Sequence, residues 1–321
     1  MSIDAVWNAL PRRIRERGLE KEKLEKLHLQ EIRLRCGQPL LLKGKNDICF
    51  LRQDGVPAES SKGCICISKA DIQETVSLLS AYSLYAFEEE LRQGYLTIEG
   101  GHRVGFCGKA VLEGGEIRTL RQINALNIRI AREIKGCATK ILPLLMEDGA
   151  FCHSLIVSPP GCGKTTLLRD IIRCLSNGES GKQMTVGVVD ERGEIAPLCD
   201  GVPQMDLGPC TDILEGCPKA GGMLLLLRSM SPEVIAADEL GRAEDMRAAE
   251  EVLNAGVKLI STVHGKDMED LQTRPYLREL VEKGIFERYV FLSRRRGTGT
   301  IEEIWNGRKE LIWKGGGAGW N

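Results

Sequence analysis

The chain has 321 residues, 42% of them hydrophobic, and a formal net charge of −1. That length can bury one large core or two modest ones, and two domains is the better expectation. The balanced charge excludes a general attraction to nucleic acid or acidic lipid, and nothing approaches the roughly 18 consecutive apolar residues of a membrane-spanning helix.

Residues 4–27 carry Val6, Leu10, Ile14, Leu19, Leu24 and Leu27 among many charges, with Pro11 as a break. The spacing predicts one or two short surface helices. From Glu31 the period changes: Ile32-Arg33-Leu34-Arg35, Leu40-Leu41-Leu42 and Ile48-Cys49-Phe50-Leu51 read as short strands with glycine turns. Ser68 is placed to cap a helix through Ile72, Val76, Leu78 and Leu79, and a second helix is expected over Tyr85 to Arg92, ending at Gly94. Tyr95 to Ile98, Arg103 to Cys107, Ile117 to Leu120 and Leu126 to Arg132 complete the strands of a small α+β domain, assigned to residues 1–137. Residues 138–149 are expected to be a linker, and 150–321 a second domain.

In that second part strands alternate with helices, the pattern of a parallel sheet. Thr185 to Val189 reads as a buried strand, and Val234 to Glu239 and Val257 to Thr262 as two more; Ala243 to Asn254, Met268 to Leu271 and Tyr276 to Lys283 read as helices. Met223 to Met230 looks helical. The stretch from Leu198 to Gly222 reads as a loop near the site, and Tyr289 to Leu292 with Ile301 to Trp313 as an edge strand and hairpin.

The chemistry concentrates at Ser158-Pro159-Pro160-Gly161-Cys162-Gly163-Lys164-Thr165-Thr166. An apolar run, Ser154 to Val157, precedes it and an amphipathic helix follows, which is the order of a phosphate-binding loop. Glycines let backbone N–H groups wrap a phosphate at a helix N-terminus. Lys164 would reach the β- and γ-phosphates of ATP, and the Thr165 hydroxyl would bind Mg²⁺. Ser158 stands where the motif usually begins with glycine, a change that fits if its φ stays negative. Asp238-Glu239 follow four apolar residues: Asp238 is the expected second support for Mg²⁺, and Glu239 a candidate to polarise the attacking water. Asp190, Glu191 and Glu194 follow the preceding strand and are expected at the same edge, either serving water and metal or forming a surface turn neutralised by Arg192. His264, also at a strand end, would sense the γ-phosphate, whereas His28, His102 and His153 read as structural. The twelve cysteines are scattered without a Cys-x-x-Cys pair, so no zinc site is expected, and free thiols suit a reducing cytoplasm. No charged-then-apolar signal pattern marks the N-terminus.

The segment Arg228 to Glu233 leading into Asp238-Glu239, followed by Thr262-Val263-His264-Gly265, resembles the RecA-like secretion and pilus-retraction ATPases. In that comparison Asp238-Glu239 matches the Walker B strand, His264 a histidine box, and Asp190 to Glu194 an acidic box whose catalytic glutamate corresponds best to Glu194, with Glu239 the other candidate. Glu31 to Arg35, Phe87-Glu88-Glu89-Glu90-Leu91 and Leu126 to Arg132 narrow the resemblance to the stage III sporulation protein AA family, over essentially the whole chain. The resemblance implies an ATPase of the channel apparatus between mother cell and forespore. It also implies a homo-oligomer, a hexameric ring, held at the cytoplasmic face of the membrane by a membrane-anchored sporulation channel protein.

Two other functions remain open on the residues. A RecA-like nucleic-acid translocase would use a basic stripe with stacking aromatics; Arg294-Arg295-Arg296 supports it, but aromatics are only 5% of the chain, so nucleic acid is not favoured. A nucleotide-gated scaffold would bind ATP and hardly turn it over. Arg129 and Arg132, with Arg103, Arg118 and Arg121 nearby, read either as cations completing a neighbouring subunit's site or as a solvated sheet face.

Overall fold

In the computed structural model, which describes residues 3–16, 21–44, 47–80 and 91–315, the backbone separates into two compact units. One runs to Arg132 and includes Cys199–Gln204; the other holds Glu133–Leu198 and everything from Met205 onward. The motif Phe87 to Glu90 and most of the helix expected over Tyr85 to Arg92 lie outside the described residues.

Alternation builds the first unit. In strand Glu31–Arg35 the even positions Ile32 and Leu34 are fully buried while Arg33 and Arg35 lie on the opposite face. Its neighbours continue the sheet as seven antiparallel strands, in the order Pro57–Ala58, Ile48–Leu51, Leu41–Lys43, Glu31–Arg35, Glu116–Arg129, His102–Glu113 and Tyr95–Ile98. The expected strands Ile117 to Leu120 and Leu126 to Arg132 are thus joined in one long strand of a hairpin, kinked by bulges rather than broken by a turn and ending at Arg129, three residues earlier than expected. Helix Lys69–Leu79 covers the apolar face. Ser68 caps it as expected and forms a capping box: Asp71 N–H donates to Ser68 Oγ at 3.1 Å and Ser68 N–H to Asp71 Oδ2 at 2.7 Å, an arrangement worth about 1 kcal/mol. The N-terminal stretch makes three helices, Asp4–Ala9, Arg12–Glu16 and Lys21–Lys26. They are less superficial than their charge suggests, because Val6, Leu10, Ile14 and Leu24 are fully buried in the same core.

The second unit is an α/β layer around an eight-stranded sheet, ordered Thr211–Glu215, Val186–Asp190, Val234–Ala237, Lys258–His264, Ser154–Ser158, Arg288–Ser293, Thr300–Asn306 and Leu311–Lys314. The first six strands are parallel and the last two antiparallel. Strands buried on both faces need unbroken apolar runs, which is why Ser154–Ser158 and Val234–Ala237 do not alternate. Separate apolar clusters fill the two sides.

Three expectations change here. Residues 138–149 are not an exposed tether: Ala138, Ile141, Leu142 and Leu145 are buried in the core beside the phosphate-loop helix. The stretch after Leu198 is not wholly loop, since Thr211–Glu215 forms the far strand of the sheet and helix Lys219–Ser229 begins inside it. Arg288–Ser293 is no edge strand; it lies between Ser154–Ser158 and Thr300–Asn306, and the edge is Leu311–Lys314.

Candidate functional site

Register assembles the site. Ser158 pairs with His264, Ala237 with Ser261 and Val189 with Ala237, so Asp190, Asp238, His264 and Ser158 end four neighbouring parallel strands at one edge. That edge is where α/β sheets bind ligands.

The loop between Ser154–Ser158 and helix Lys164–Asn177 turns through two glycines in the left-handed region, Gly161 at φ 68° and Gly163 at φ 93°. Gly161 needs its missing side chain for a second reason: a Cβ there would collide with the Arg294 guanidinium, whose Nε donates to the Gly161 carbonyl at 2.8 Å. The first arginine of the basic cluster is therefore engaged on the phosphate loop. Ser158 stays extended as the last strand residue, so the glycine it replaces is not needed. Pro159 and Pro160 are exposed, Cys162 is buried, and Thr165 and Thr166 are half-buried on the first helical turn.

Lys164 is 7% exposed. Its ammonium donates to the Ser158 carbonyl at 3.1 Å, to the Pro159 carbonyl at 3.5 Å and to His264 Nδ1 at 2.9 Å. Burial pushes its pKa down, while Glu239 and Asp238 oppose that shift from a distance. A buried cation held by neutral acceptors is a site for an anion, and the residues present fit the triphosphate of a nucleotide. His264 Nε2 continues the chain to Glu239 Oε1 at 3.0 Å. Glu239 has φ 22°, a strained value for a residue with a side chain. Thr262 holds the strand end by donating its hydroxyl to Asp238 Oδ1 at 2.9 Å, and Glu239 N–H reaches the same oxygen at 2.9 Å.

The three acids after Val189 have separate roles. Asp190 is fully buried, and its carboxylate accepts the backbone N–H groups of Glu194, Ile195 and Ala196 at 2.8, 2.9 and 2.7 Å. Burial pushes its pKa up, against those three bonds. Glu191 pairs with Lys219, and that pairing with the nearby charges of Arg242 and Arg192 holds its carboxyl below the usual carboxylate range. Glu194 is exposed and lines a cleft of about 320 Å³ together with Asp238, Glu239, Arg192, Lys219 and Arg242. The edge therefore joins Lys164, His264 and Glu239 by direct contact, and Glu194 lines a cleft with Asp238 and Glu239. The sequence marks Arg294 only as part of a basic cluster and does not mark Arg169 at all, because their contacts are tertiary and spacing does not encode them. His102 and His153 accept backbone N–H groups from Ala131 at 3.0 Å and Leu259 at 3.1 Å.

All twelve cysteines are free thiols, and among the described residues no three His, Cys, Asp or Glu side chains converge on a point. Protein prepared without added metal is expected to carry far less than one equivalent of zinc by elemental analysis. Stoichiometric zinc would overturn that expectation. No described helix is long and apolar enough to cross a membrane.

Solved ATPase structures share this fold. The pilus retraction motor PilT, solved with bound ADP, superposes with a TM-score of 0.56 at 15% identity, covering 84% of this chain and 76% of that one. The Legionella pneumophila ATPase DotB gives 0.54 at 15% identity, over 84% and 73%. At such identities the likeness establishes the fold, a RecA-like P-loop unit preceded by an antiparallel-sheet unit. Stage III sporulation protein AA of Bacillus subtilis (strain 168) is 40% identical over 305 residues, 95% of each chain. The family model described as sporulation stage III, protein AA, matches residues 3–312, and the chain belongs to that family.

Proposed function

We propose that the protein is a two-domain, Mg-ATP-hydrolysing motor that energises assembly of, or transport through, the channel between mother cell and forespore. The observation that carries the reading is Lys164, a buried cation on neutral partners, joined through His264 to Glu239 at the sheet edge. Lys164 would hold the β- and γ-phosphates, and Thr165 with Asp238 would hold Mg²⁺, which when bound neutralises charge on the phosphates. Glu194 would orient water in line with the γ-phosphate and accept its proton. His264 and Glu239 would register whether the γ-phosphate is present.

The test is steady-state ATP turnover with and without DNA or RNA. Turnover unaffected by nucleic acid is expected. Strong stimulation by either polymer would favour a translocase, and tight ATP binding without turnover would favour a scaffold.

The reading includes a homo-oligomeric ring, hexameric by comparison with the secretion ATPases, docked at the cytoplasmic face of a membrane through a channel protein. A ring allows a neighbour's arginine to stabilise γ-phosphoryl charge. Of the candidates, Arg132 donates to the Leu29 carbonyl at 3.2 Å, Arg118 pairs with Glu113 at 2.9 Å and Arg103 lies 3.8 Å over the Tyr95 ring. Arg129 and Arg121 are both exposed, and Arg129, at the end of the last strand before the second unit, becomes the first choice. Specific activity should rise with protein concentration, and Arg129→Ala mixed with Lys164→Ala should regain activity that neither has alone. Concentration-independent turnover with no recovery on mixing would leave Arg129 as surface charge.

A further inference from the structure

Arg169 lies on the phosphate-loop helix five residues beyond Lys164, in the sequence Leu167-Leu168-Arg169-Asp170-Ile171-Ile172. Its guanidinium does not turn to solvent. Nε donates to the Ile195 carbonyl at 2.6 Å and Nη2 to the Glu194 carbonyl at 2.7 Å. Asp190 grips the same turn through the N–H groups of Glu194, Ile195 and Ala196. Residues 194 and 195 therefore have both backbone ends fixed, the N–H by a buried carboxylate and the C=O by a guanidinium. What stays exposed is the Glu194 side chain, facing the cleft.

We propose that Arg169 is a positioning residue for Glu194, tying the acidic turn to the helix that seats the phosphates. The proposal rests on the reading of Glu194 as the water-orienting acid. An α-helix transmits displacement along its axis, and Arg169 stands about 7.5 Å along it from Lys164. A shift of the helix N-terminus when phosphate is seated thus reaches the Glu194 backbone through two hydrogen bonds. A planar fork is needed to hold two adjacent carbonyls; a lysine ammonium at that position holds one. The one other polar side chain on this stretch is committed elsewhere: Asp170 accepts the Ala138 N–H at 2.7 Å and the Arg173 Nε–H at 2.8 Å.

The experiment is a double-mutant cycle on the full chain, combining Arg169→Lys with Glu194→Gln and reading kcat, KM for ATP, nucleotide affinity and thermal melting. Misplacing a catalytic group by about 1 Å can cost about a hundredfold, so Arg169→Lys should lower kcat by roughly ten- to a hundredfold. KM should stay within about threefold, as for an interaction made only in the transition state. In the Glu194→Gln background the same substitution should cost nothing further, because the group it positions is gone. An equal loss in both backgrounds, a loss carried by KM, or unchanged turnover would overturn the proposal. Should Arg169→Lys fail to fold, Asp190→Asn loosens the same turn from its other side and is held to the same cycle. Normal turnover by Glu194→Gln would remove the reading of Glu194 and this proposal with it. An inactive Glu194→Gln beside a fully active Arg169→Lys would remove this proposal alone.

Discussion

Lys164→Ala is expected to abolish ATP hydrolysis, with turnover falling by at least about a thousandfold, and to weaken nucleotide binding. The physical reason is the environment of the ammonium. Folding has removed it from water and given it two carbonyls and an imidazole nitrogen, none of them an anion. Burial already disfavours its charged form. Phosphate oxygens would supply a direct counter-charge where Glu239 and Asp238 act only from a distance, and each charge-assisted bond is worth about 1.5–3 kcal/mol, so affinity should drop by roughly ten- to a hundredfold. The same argument predicts the sign of the stability change. Removing an imperfectly compensated buried charge takes away a desolvation cost, so the apo variant should melt no lower than the parent, within about 1 kcal/mol. Turnover, binding of a fluorescent ADP and thermal melting on one preparation check all three. A folded variant that hydrolyses ATP at the parental rate would rule out this site.

The parts of this site that could be read from the residues are those where local chemistry and chain order agree. Ser154 to Val157, two glycines and an amphipathic helix leave few alternatives to a strand, loop and helix, and four apolar residues before Asp238-Glu239 mark a buried strand with acids at its end. His264 could be placed because parallel strands end at one edge. The failures have equally physical causes. Thr211–Glu215 carries two acids in five residues and is half-exposed throughout, so its sequence resembles a loop and its strand state comes from pairing with Val186–Asp190. Residues 138–149 look like a tether because glycine and charge frame them, yet Leu142 and Leu145 pack under the phosphate-loop helix and Asp170 receives the Ala138 N–H. Asp190 and Glu194 are similar acids four positions apart. Only the fold separates the one that braces a turn from the one that faces the cleft. Arg169 sits between buried leucines and isoleucines where the helical period would place a solvated residue, and nothing in one sequence marks it otherwise.

Glu194→Gln should keep nucleotide binding and lose roughly two to four orders of magnitude in turnover, whereas Glu239→Gln should lose much less. Both acids line one cleft, so proximity does not divide them; their hydrogen bonds do. An ammonium has no lone pair, so Lys164 donates to His264 Nδ1, which makes Nδ1 the acceptor and leaves the imidazole proton on Nε2. Nε2–H then donates to Glu239 Oε1 at 3.0 Å. In this arrangement Glu239 is the remote counter-charge of Lys164, relayed through a neutral ring. A glutamine at 239 keeps an oxygen able to accept from Nε2–H, so the relay survives in shape although its charge is gone. Glu194 has no such conservative replacement if it takes a proton from water, because an amide oxygen is too weak a base at neutral pH. Its backbone is fixed from both sides by Asp190 and Arg169, as a group with a directional task requires. Single-turnover hydrolysis by the two variants, with ATP affinity measured alongside, decides the assignment. A larger loss at Glu239 would exchange the roles, making Glu239 the base and Glu194 a member of the cleft wall. If both variants hydrolyse at the parental rate, water is activated elsewhere and the acidic turn serves only to brace the sheet edge.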